Sequence, residues 1–421
     1  MGEVLELAER AWNGDLAETQ VHPGRALVGF EELASGLGFM SAFSNVAILS
    51  TSDGLVFLDT SSRFHAGQLH DAVRAWSIDR VHTAVYTHGH VDHVFGLAPF
   101  EEEAREKGQP PTHVVAHVNC PARFDRYVLT NGYNGVINQR QFDFPKPVFP
   151  KAFRQPDETV AESHVLDVGG VRVELFHAKG ETDDGLWCWV PEHRALYAGD
   201  LFIWASPNCG NPQKVQRYPR EWAEALRRMA ALDADRLLPG HGPPILGAAR
   251  VRQALEESAE LLETITRQTL DAMNAGARLD DILHGVSFPE DLLARPYLRP
   301  VYDDPRFIVR NLWRLYGGWY DGNPAHLNPA PDAALAKAIA AFGGGSDALV
   351  AAAERAAAEG ALDVASHFAE WATQAAPDDA AAHAVRAAVY AERARRETSL
   401  MAQGIYGAAE RESRTLTDGD G

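Results

Sequence analysis

At 421 residues, 46% of them hydrophobic, the chain is too long for a small disulfide scaffold and fits two domains with sizeable cores. Its 39 basic and 58 acidic side chains leave a formal charge of −19, which disfavours nucleic acid as a partner, although a metal-bearing site can still attract an anion locally. Cys120, Cys188 and Cys209 are far apart and odd in number, which suits a reducing compartment. The start Met1-Gly2-Glu3-Val4-Leu5-Glu6 is acidic where a secretion signal is basic and then apolar, and no apolar run reaches membrane-spanning length, so the expected location is cytoplasmic with no membrane partner.

From about residue 25 to 245, short β-rich runs alternate with helical stretches, an α/β pattern. The runs Asn45–Ser50, Gly54–Asp59, His82–Tyr86 and Val171–Phe176 are separated by turns of Gly, Pro, Asp and Ser. The third run gives way to Thr87-His88-Gly89-His90-Val91-Asp92-His93. Four ligand-type side chains in six residues are hard to explain by packing, and the alternative is a solvated polar turn. His88 and His90, two apart on an extended segment, can converge on one ion while Asp92 and His93 turn toward a second.

The stretch from about 120 to 155 shows no helical or strand period and is expected to be a loop over the site. Within it Tyr133, Asn138 and Arg140 are candidate substrate contacts. The Arg140 guanidinium fork matches an oxyanion, and its other reading is a surface or domain-contact residue. Tyr133 and Trp204 are candidates for lining an apolar tail pocket, with core packing the stronger reading for Trp204.

Further ligand candidates follow at the ends of β-like runs: Glu181 (with His177 as the weaker choice), Asp200 in Gly199-Asp200, and His241 in Pro239-Gly240-His241-Gly242. If His88, His90 and Glu181 hold one ion and Asp92, His93 and His241 the other, with Asp200 between them, each ion keeps room for a shared water, as a catalytic site requires. Asp92 and Asp200 are then the catalytic carboxylates. Two divalent ions, three carboxylates and one hydroxide sum to zero charge, less electrophilic than an all-histidine site.

From residue 248 the pattern turns helical, and after Pro331 alanine dominates, so antiparallel helices are expected. The expected division is a catalytic domain over 1–247, a helical domain over 248–414 and a frayed tail over 415–421. Trp313, Leu315, Tyr316, Trp319 and Tyr320 bunch large apolar side chains beside glycines. They call for burial in a symmetric contact, against the catalytic domain, or in a core within the chain.

The series of motifs resembles the metallo-β-lactamase superfamily over roughly residues 25 to 245. Glu181, in Gly180-Glu181-Thr182, stands where histidine is usual, and the alkylsulfatase-like branch has a glutamate there with its bridging acid nineteen residues on, where Asp200 falls. The segment from Arg314 to Pro329 is very similar to the signature of the α-helical alkylsulfatase dimerisation domain, extending the resemblance to about residue 395.

The resemblance implies an αββα sandwich followed by an all-α dimerisation domain. It further implies a homodimeric hydrolase of sulfuric esters, using two divalent ions and a bridging hydroxide on an anionic small molecule with an apolar tail. Zinc is the first choice of metal, with Mn2+ or Fe2+ open to a carboxylate-rich set. The stretch Leu201–Lys214 lacks the family's histidine and its sulfate-holding arginine, and no histidine lies between His193 and His241. A carboxylic-ester, thioester or lactone hydrolase therefore stays open, as does, from another class, a non-catalytic binding or oligomerisation protein.

Overall fold

The computed structural model describes residues 2–16 and 27–417. The chain forms two compact units, one of residues 1–131 and 150–318, the other of residues 132–149 and 319–421.

The first unit is built on two sheets. One has the order β1 (Gly29–Ala34), β2 (Leu37–Ser41), β3 (Val46–Thr51), β4 (Gly54–Leu58), β5 (Val81–Val85), β6 (His113–His117) and β7 (Glu158–Val160), antiparallel up to β4 and parallel from there on. The other comprises β8 (Ser163–Val168), β9 (Val171–His177), β10 (Leu186–Val190), β11 (Ala195–Ile203), β12 (Arg236–His241) and β13 (Ile245–Leu246), with only β11 and β12 parallel.

Strand residues alternate between faces, and both faces are apolar. Ala47, Leu49, Val56 and Leu58 pack inward against Val173, Leu175 and Leu186 of the second sheet. Their neighbours Val46, Ile48, Leu55 and Phe57 pack outward in a cluster with Leu69, Val73, Phe100 and Phe124 of the covering helices Ala66–Trp76, Ala98–Glu106 and Cys120–Leu129. A strand buried on both faces reads as an unbroken apolar run rather than an alternating one. The outer face of the second sheet carries Pro219–Ala230, Ala248–Asn274 and Pro305–Gly317 through Trp222, Leu226, Leu255, Leu262 and Ile308. The layers are helix, sheet, sheet, helix, as expected.

The expected division after residue 247 does not coincide with the compact units. Helix Ala248–Asn274 begins there, but Val251, Leu255, Leu262 and Ile265 are buried in the same cluster as Trp222 and Leu226, so the helix belongs to the first unit. The expected loop from 120 to 155 is also corrected: it contains the helices Cys120–Leu129 and Asn131–Phe142. In the second of these, Asn134, Ile137 and Gln141 are buried at i, i+3 and i+7. That stripe is helical in period but mostly polar in composition, so a search for apolar periodicity passes over it.

In the second unit, the helices Asp332–Gly343, Ser346–Ala358, Leu362–Ala375, Ala380–Arg396 and Leu400–Thr417 follow one another with short connections. Ala353, Ala356, Ala365 and Ala369 let their helices approach closely. Arg386 joins Glu370 at 2.7 Å, the Ala409 carbonyl at 2.8 Å and Ser413 Oγ at 2.8 Å. Of the expected tail, Thr415–Thr417 complete the last helix and residues 418–421 lie outside the described residues. Among the described residues no single helix is long and apolar enough to cross a membrane.

Candidate metal centre

The site gathers at the ends of strands from both sheets. β5 ends two residues before Thr87, so its backbone feeds directly into the histidine motif. β12 ends on His241. Asn45, ahead of β3, grips the β12 end: its backbone N–H donates to the Gly240 carbonyl at 2.8 Å, and its amide donates to the carbonyls of Pro239 and Gly242 at 2.9 and 2.7 Å.

Asp200 differs from expectation in lying within β11 rather than at a strand end. The pairing of β11 with β12 shifts register on both sides of Gly199. Gly199 has φ +51°, and a Cβ there would lie 2.7 Å from Thr87 Oγ1. This irregularity turns Asp200 inward, as bulges near active sites do.

Seven side chains proposed from the sequence fall into two adjacent groups, His88, His90, Glu181 and Asp200 in one and Asp92, His93 and His241 in the other, each with its ligand atoms within 4.8 Å of one another. Asp200 faces both groups. Its Oδ2 lies 3.7 Å from His88 Nε2, and its Oδ1 lies 3.2 Å from both His93 Nε2 and His241 Nε2. Glu181 Oε2 is 3.2 Å from His90 Nδ1 and 3.6 Å from His88 Nε2. Asp92 Oδ2 is 3.6 Å from His93 Nε2 and 3.5 Å from His241 Nε2.

These atoms fit a pair of cations better than they fit one another. His93 Nε2, Glu181 Oε2 and Asp200 Oδ1 are buried without a hydrogen-bond partner, and orphaned buried polar atoms are costly. His88 Nε2 and His90 Nδ1 stand 2.8 Å apart, ring nitrogen facing ring nitrogen. Imidazole and carboxylate together are the donor set that zinc and neighbouring divalent ions take. Burial, reinforced by His93 and His90, holds the His88 pKa well below its usual value and keeps the ring neutral, as a ligand must be. Burial raises the carboxyl pKa of Asp200, but His241 and His93 outweigh it and hold it well below the carboxylate range.

The outer nitrogens are fixed. His93 Nδ1 lies 2.7 Å from Asp59 Oδ2, His88 Nδ1 lies 3.1 Å from Thr87 Oγ1, and His241 Nδ1 contacts the Phe43 carbonyl. Asp59 follows β4 at φ +60° and also accepts from the Thr87 backbone N–H at 2.7 Å, Thr87 Oγ1 at 2.8 Å and Tyr197 Oη at 3.1 Å. Asp184 accepts from the Gly89 N–H at 3.0 Å and from Arg123 Nε at 2.8 Å, bracing the motif from the other side.

Sequence reasoning missed Asp59, Asp184, Arg217, Lys214 and Tyr302. Asp59 closes an apolar run and precedes a turn, where aspartate is ordinary, and only its reach across to His93 gives it a function. Arg217 is fully buried, and its Nη1 donates to Glu181 Oε1 and to the Asn208 carbonyl. Asn208 Nδ2 adds a bond to Glu181 Oε1 at 2.6 Å. Burial raises the Glu181 carboxyl pKa, but Arg217 and His90 bring it down to about 2. Burial and the neighbouring Arg217 push Lys214 down to about 8, against the pull of Glu181 and Asp92. The Tyr302 hydroxyl pKa is raised by burial and by Glu181 and Asp92.

Other expected residues fall elsewhere. His177 stacks on His117 with ring centroids 3.9 Å apart, donates from Nδ1 to the Gly185 carbonyl at 3.0 Å, and joins neither ligand group. Trp204 is fully buried and donates from Nε1 to the Pro243 carbonyl at 2.6 Å, a core residue. Tyr133, Asn138 and Arg140 lie on helix Asn131–Phe142 in the second compact unit, with Tyr133 exposed.

The sandwich and its two candidate ligand groups have counterparts among known proteins. Residues 42–241 match the family model of the metallo-beta-lactamase superfamily, and residues 278–415 match that of alkyl sulfatase dimerisation. The chain thus carries a metallo-β-lactamase superfamily region followed by an alkyl sulfatase dimerisation region. It is 26% identical over 362 residues to a linear primary-alkylsulfatase of a Pseudomonas species, covering 81% of this chain and 68% of that one. It is 25% identical over 341 residues to an alkyl/aryl-sulfatase of Saccharomyces cerevisiae, covering 73% and 51%. The structure of the stereoselective inverting sec-alkylsulfatase Pisa1 from Pseudomonas superposes with a TM-score of 0.83 at 22% identity, over 94% of this chain and 66% of that one. The chain thus spans about half to two thirds of the length of these relatives.

Proposed function

We propose that the protein hydrolyses sulfuric esters, of the alkyl sulfate type, at a dinuclear divalent-metal centre. The observation that carries this reading is the convergence of seven ligand atoms on two adjacent points in a chain whose relatives are alkylsulfatases. His88, His90 and Glu181 would hold one ion and Asp92, His93 and His241 the other, with Asp200 shared. Zinc is the first choice, and the three carboxylates also suit manganese or ferrous iron. When bound, such ions supply hydroxide near neutral pH and a Lewis acid for an ester oxyanion.

The chain's own groups supply the rest. Asp59, Thr87 and the Phe43 carbonyl hold the imidazoles in one orientation. Lys214, half-buried and near both Glu181 and Asp92, provides a positive charge for the sulfate group. With no histidine on this segment, Lys214 and Tyr302 are the groups that can hold a proton for the departing alkoxide. The test is a hydrolysis panel of alkyl sulfates, aryl sulfates, phosphodiesters, thioesters and lactones with metal-loaded protein. Turnover of alkyl sulfates above the rest is expected, and preference for a thioester or lactone would overturn the sulfatase reading.

We also propose that the helical region makes a homodimer. Tyr316, Trp319 and Tyr320 are 48%, 68% and 38% exposed in the single chain, so a core within the chain does not absorb them, and large aromatics are enriched in interface cores. Three free, buried cysteines fit a cytoplasmic location. Light scattering at micromolar concentration should give twice the chain mass, and a fully active monomer would refute the dimer's importance.

A further inference from the structure

The glutamate at position 181 sets this centre apart from an all-histidine one, and the fold surrounds it in an unusual way. Its two oxygens have separate duties. Oε2 faces His88 and His90 and has no hydrogen-bond partner, while Oε1 accepts from Arg217 Nη1 and from Asn208 Nδ2. Arg217 is 2% exposed, so its charge is withdrawn from water. A buried guanidinium needs a partner, and with its Nε left without a hydrogen bond Arg217 turns Nη1 to Glu181 and to the Asn208 carbonyl.

The Arg217 backbone is gripped in turn. Asn311, buried on helix Pro305–Gly317, accepts from the Arg217 N–H through Oδ1 at 3.2 Å and donates from Nδ2 to the Arg217 carbonyl at 2.9 Å. A side-chain amide that pairs with both backbone groups of one residue acts as a short strand partner and fixes its position. Gln216 donates to the same Asn311 Oδ1 at 2.8 Å. A chain of contacts therefore runs from the helix through Arg217 to Glu181 and ends at the first ligand group.

We propose that Arg217, locked by Asn311, is the positioning residue for Glu181, and that the Glu181–Arg217 pair stands in for a neutral histidine. Arg217 determines which oxygen Glu181 presents and cancels its charge, so the ligand set regains the net charge of an imidazole at this position. A lone glutamate would supply a negative charge and leave its second oxygen free to rotate in. The proposal rests on the dinuclear reading above, since it concerns the affinity and charge of the ion held by His88, His90 and Glu181.

The test measures zinc binding to metal-stripped full-length protein by calorimetry and elemental analysis, with circular dichroism as the check on folding. Wild type should take two ions, and no zinc binding by folded wild type would defeat the dinuclear reading itself. Given two ions in wild type, Arg217→Gln should weaken one of them by about tenfold to a hundredfold, as loss of a group behind a metal ligand does, and leave the other near its wild-type affinity. Arg217→Lys, which keeps the charge but loses the planar fork, should fall between wild type and Arg217→Gln, and Asn311→Ala, which retains the guanidinium but unlocks its backbone, should weaken the same ion. If Arg217→Gln does not fold, a charge-swap pair decides. Glu181→His alone strands a buried guanidinium and should lower the melting temperature, whereas Glu181→His with Arg217→Met should recover it and still bind two ions. Unchanged affinities for both ions in folded Arg217→Gln and Asn311→Ala, or no recovery of the melting temperature in the double variant, would overturn the proposal.

Discussion

His93 Nδ1 lies 2.7 Å from Asp59 Oδ2 while its Nε2 faces Asp200 and Asp92, so one ring links a structural carboxylate to the centre. Asp59 fixes the tautomer: with Nδ1 donating, Nε2 is left as a lone pair for an ion. Asp59→Asn keeps the shape but turns an acceptor into a mixed group beside four donors. The expected result is a loss of about tenfold to a hundredfold in affinity for the ion held by His93. Zinc titration monitored by calorimetry checks this, and wild-type affinity would rule out the orienting role.

Removing metal should destabilise the protein. A ligand that binds only the folded state at a hundredfold its Kd stabilises by about 2.7 kcal/mol, which is roughly 5–10 °C in Tm for one site in a domain of this scale. Calorimetric scans with zinc and with a chelator should differ by at least that much. Scans that superimpose would mean that neither group binds an ion tightly.

The ligand candidates were legible in the sequence because they lie in short motifs at or near strand ends, where residue type and order carry the signal. What supports them was not. Asp59 and Asp184 act on residues 34 and 95 positions away, and no local spacing records such a contact. Arg217 sits in a stretch whose only distinguishing feature was the lack of an expected histidine. The helix Asn131–Phe142 was unreadable for a different reason: its buried stripe contains Asn134 and Gln141, which a hydrophobic period does not count. The central strands were easier, because strands such as β3 and β4 are apolar and buried on both faces.

Arg123 and Asp184 form a buried pair behind Gly89, with side chains 2% and 0% exposed. Burial lowers the Arg123 pKa, but Asp184 more than restores it, so both stay charged. Breaking a buried pair by removing one partner costs about 3–5 kcal/mol because the other charge is left uncompensated. Arg123→Met should therefore lose several kcal/mol in urea unfolding, with the histidine motif the first region to lose hydrogen-exchange protection. A loss under about 1 kcal/mol would show that Asp184 finds another partner.

Lys214 offers a kinetic test of the sulfate reading. Its ammonium is charged below a pKa of about 8 and neutral above it, so affinity for an anionic ester should fall as pH rises through that value. Lys214→Met should raise KM for an alkyl sulfate by about tenfold or more at pH 7, the scale of a lost hydrogen bond to a charged group, and should abolish the rise in KM above pH 8. Metal content should be unchanged. An equal pH dependence in the variant would assign the effect to another group.

Gly240 gives the sharpest structural prediction, because it separates the turn's shape from the ligand it carries. A Cβ at this position would lie 2.2 Å from Asp200 Oδ1 and 2.7 Å from the Gly199 carbonyl carbon. The first contact is a side chain that can rotate away, and the second is backbone held in a bulge, so the strain must be relieved by moving Asp200 and shifting β11 against β12. The same Oδ1 faces His93 and His241 at 3.2 Å each. Gly240→Ala should therefore fold with reduced stability and lose the bridging carboxylate from its place. Zinc content should drop toward one ion or none, and hydrolysis should fall by at least about a hundredfold, the cost of about 2.7 kcal/mol in the barrier. Gly170→Ala, where nothing lies within 4 Å of the added Cβ but φ is +84°, serves as the control: it carries the strain of a left-handed residue without touching the site. If Gly240→Ala keeps two ions and full turnover while Gly170→Ala is equally destabilised, the close approach of the turn to Asp200 has no part in the centre.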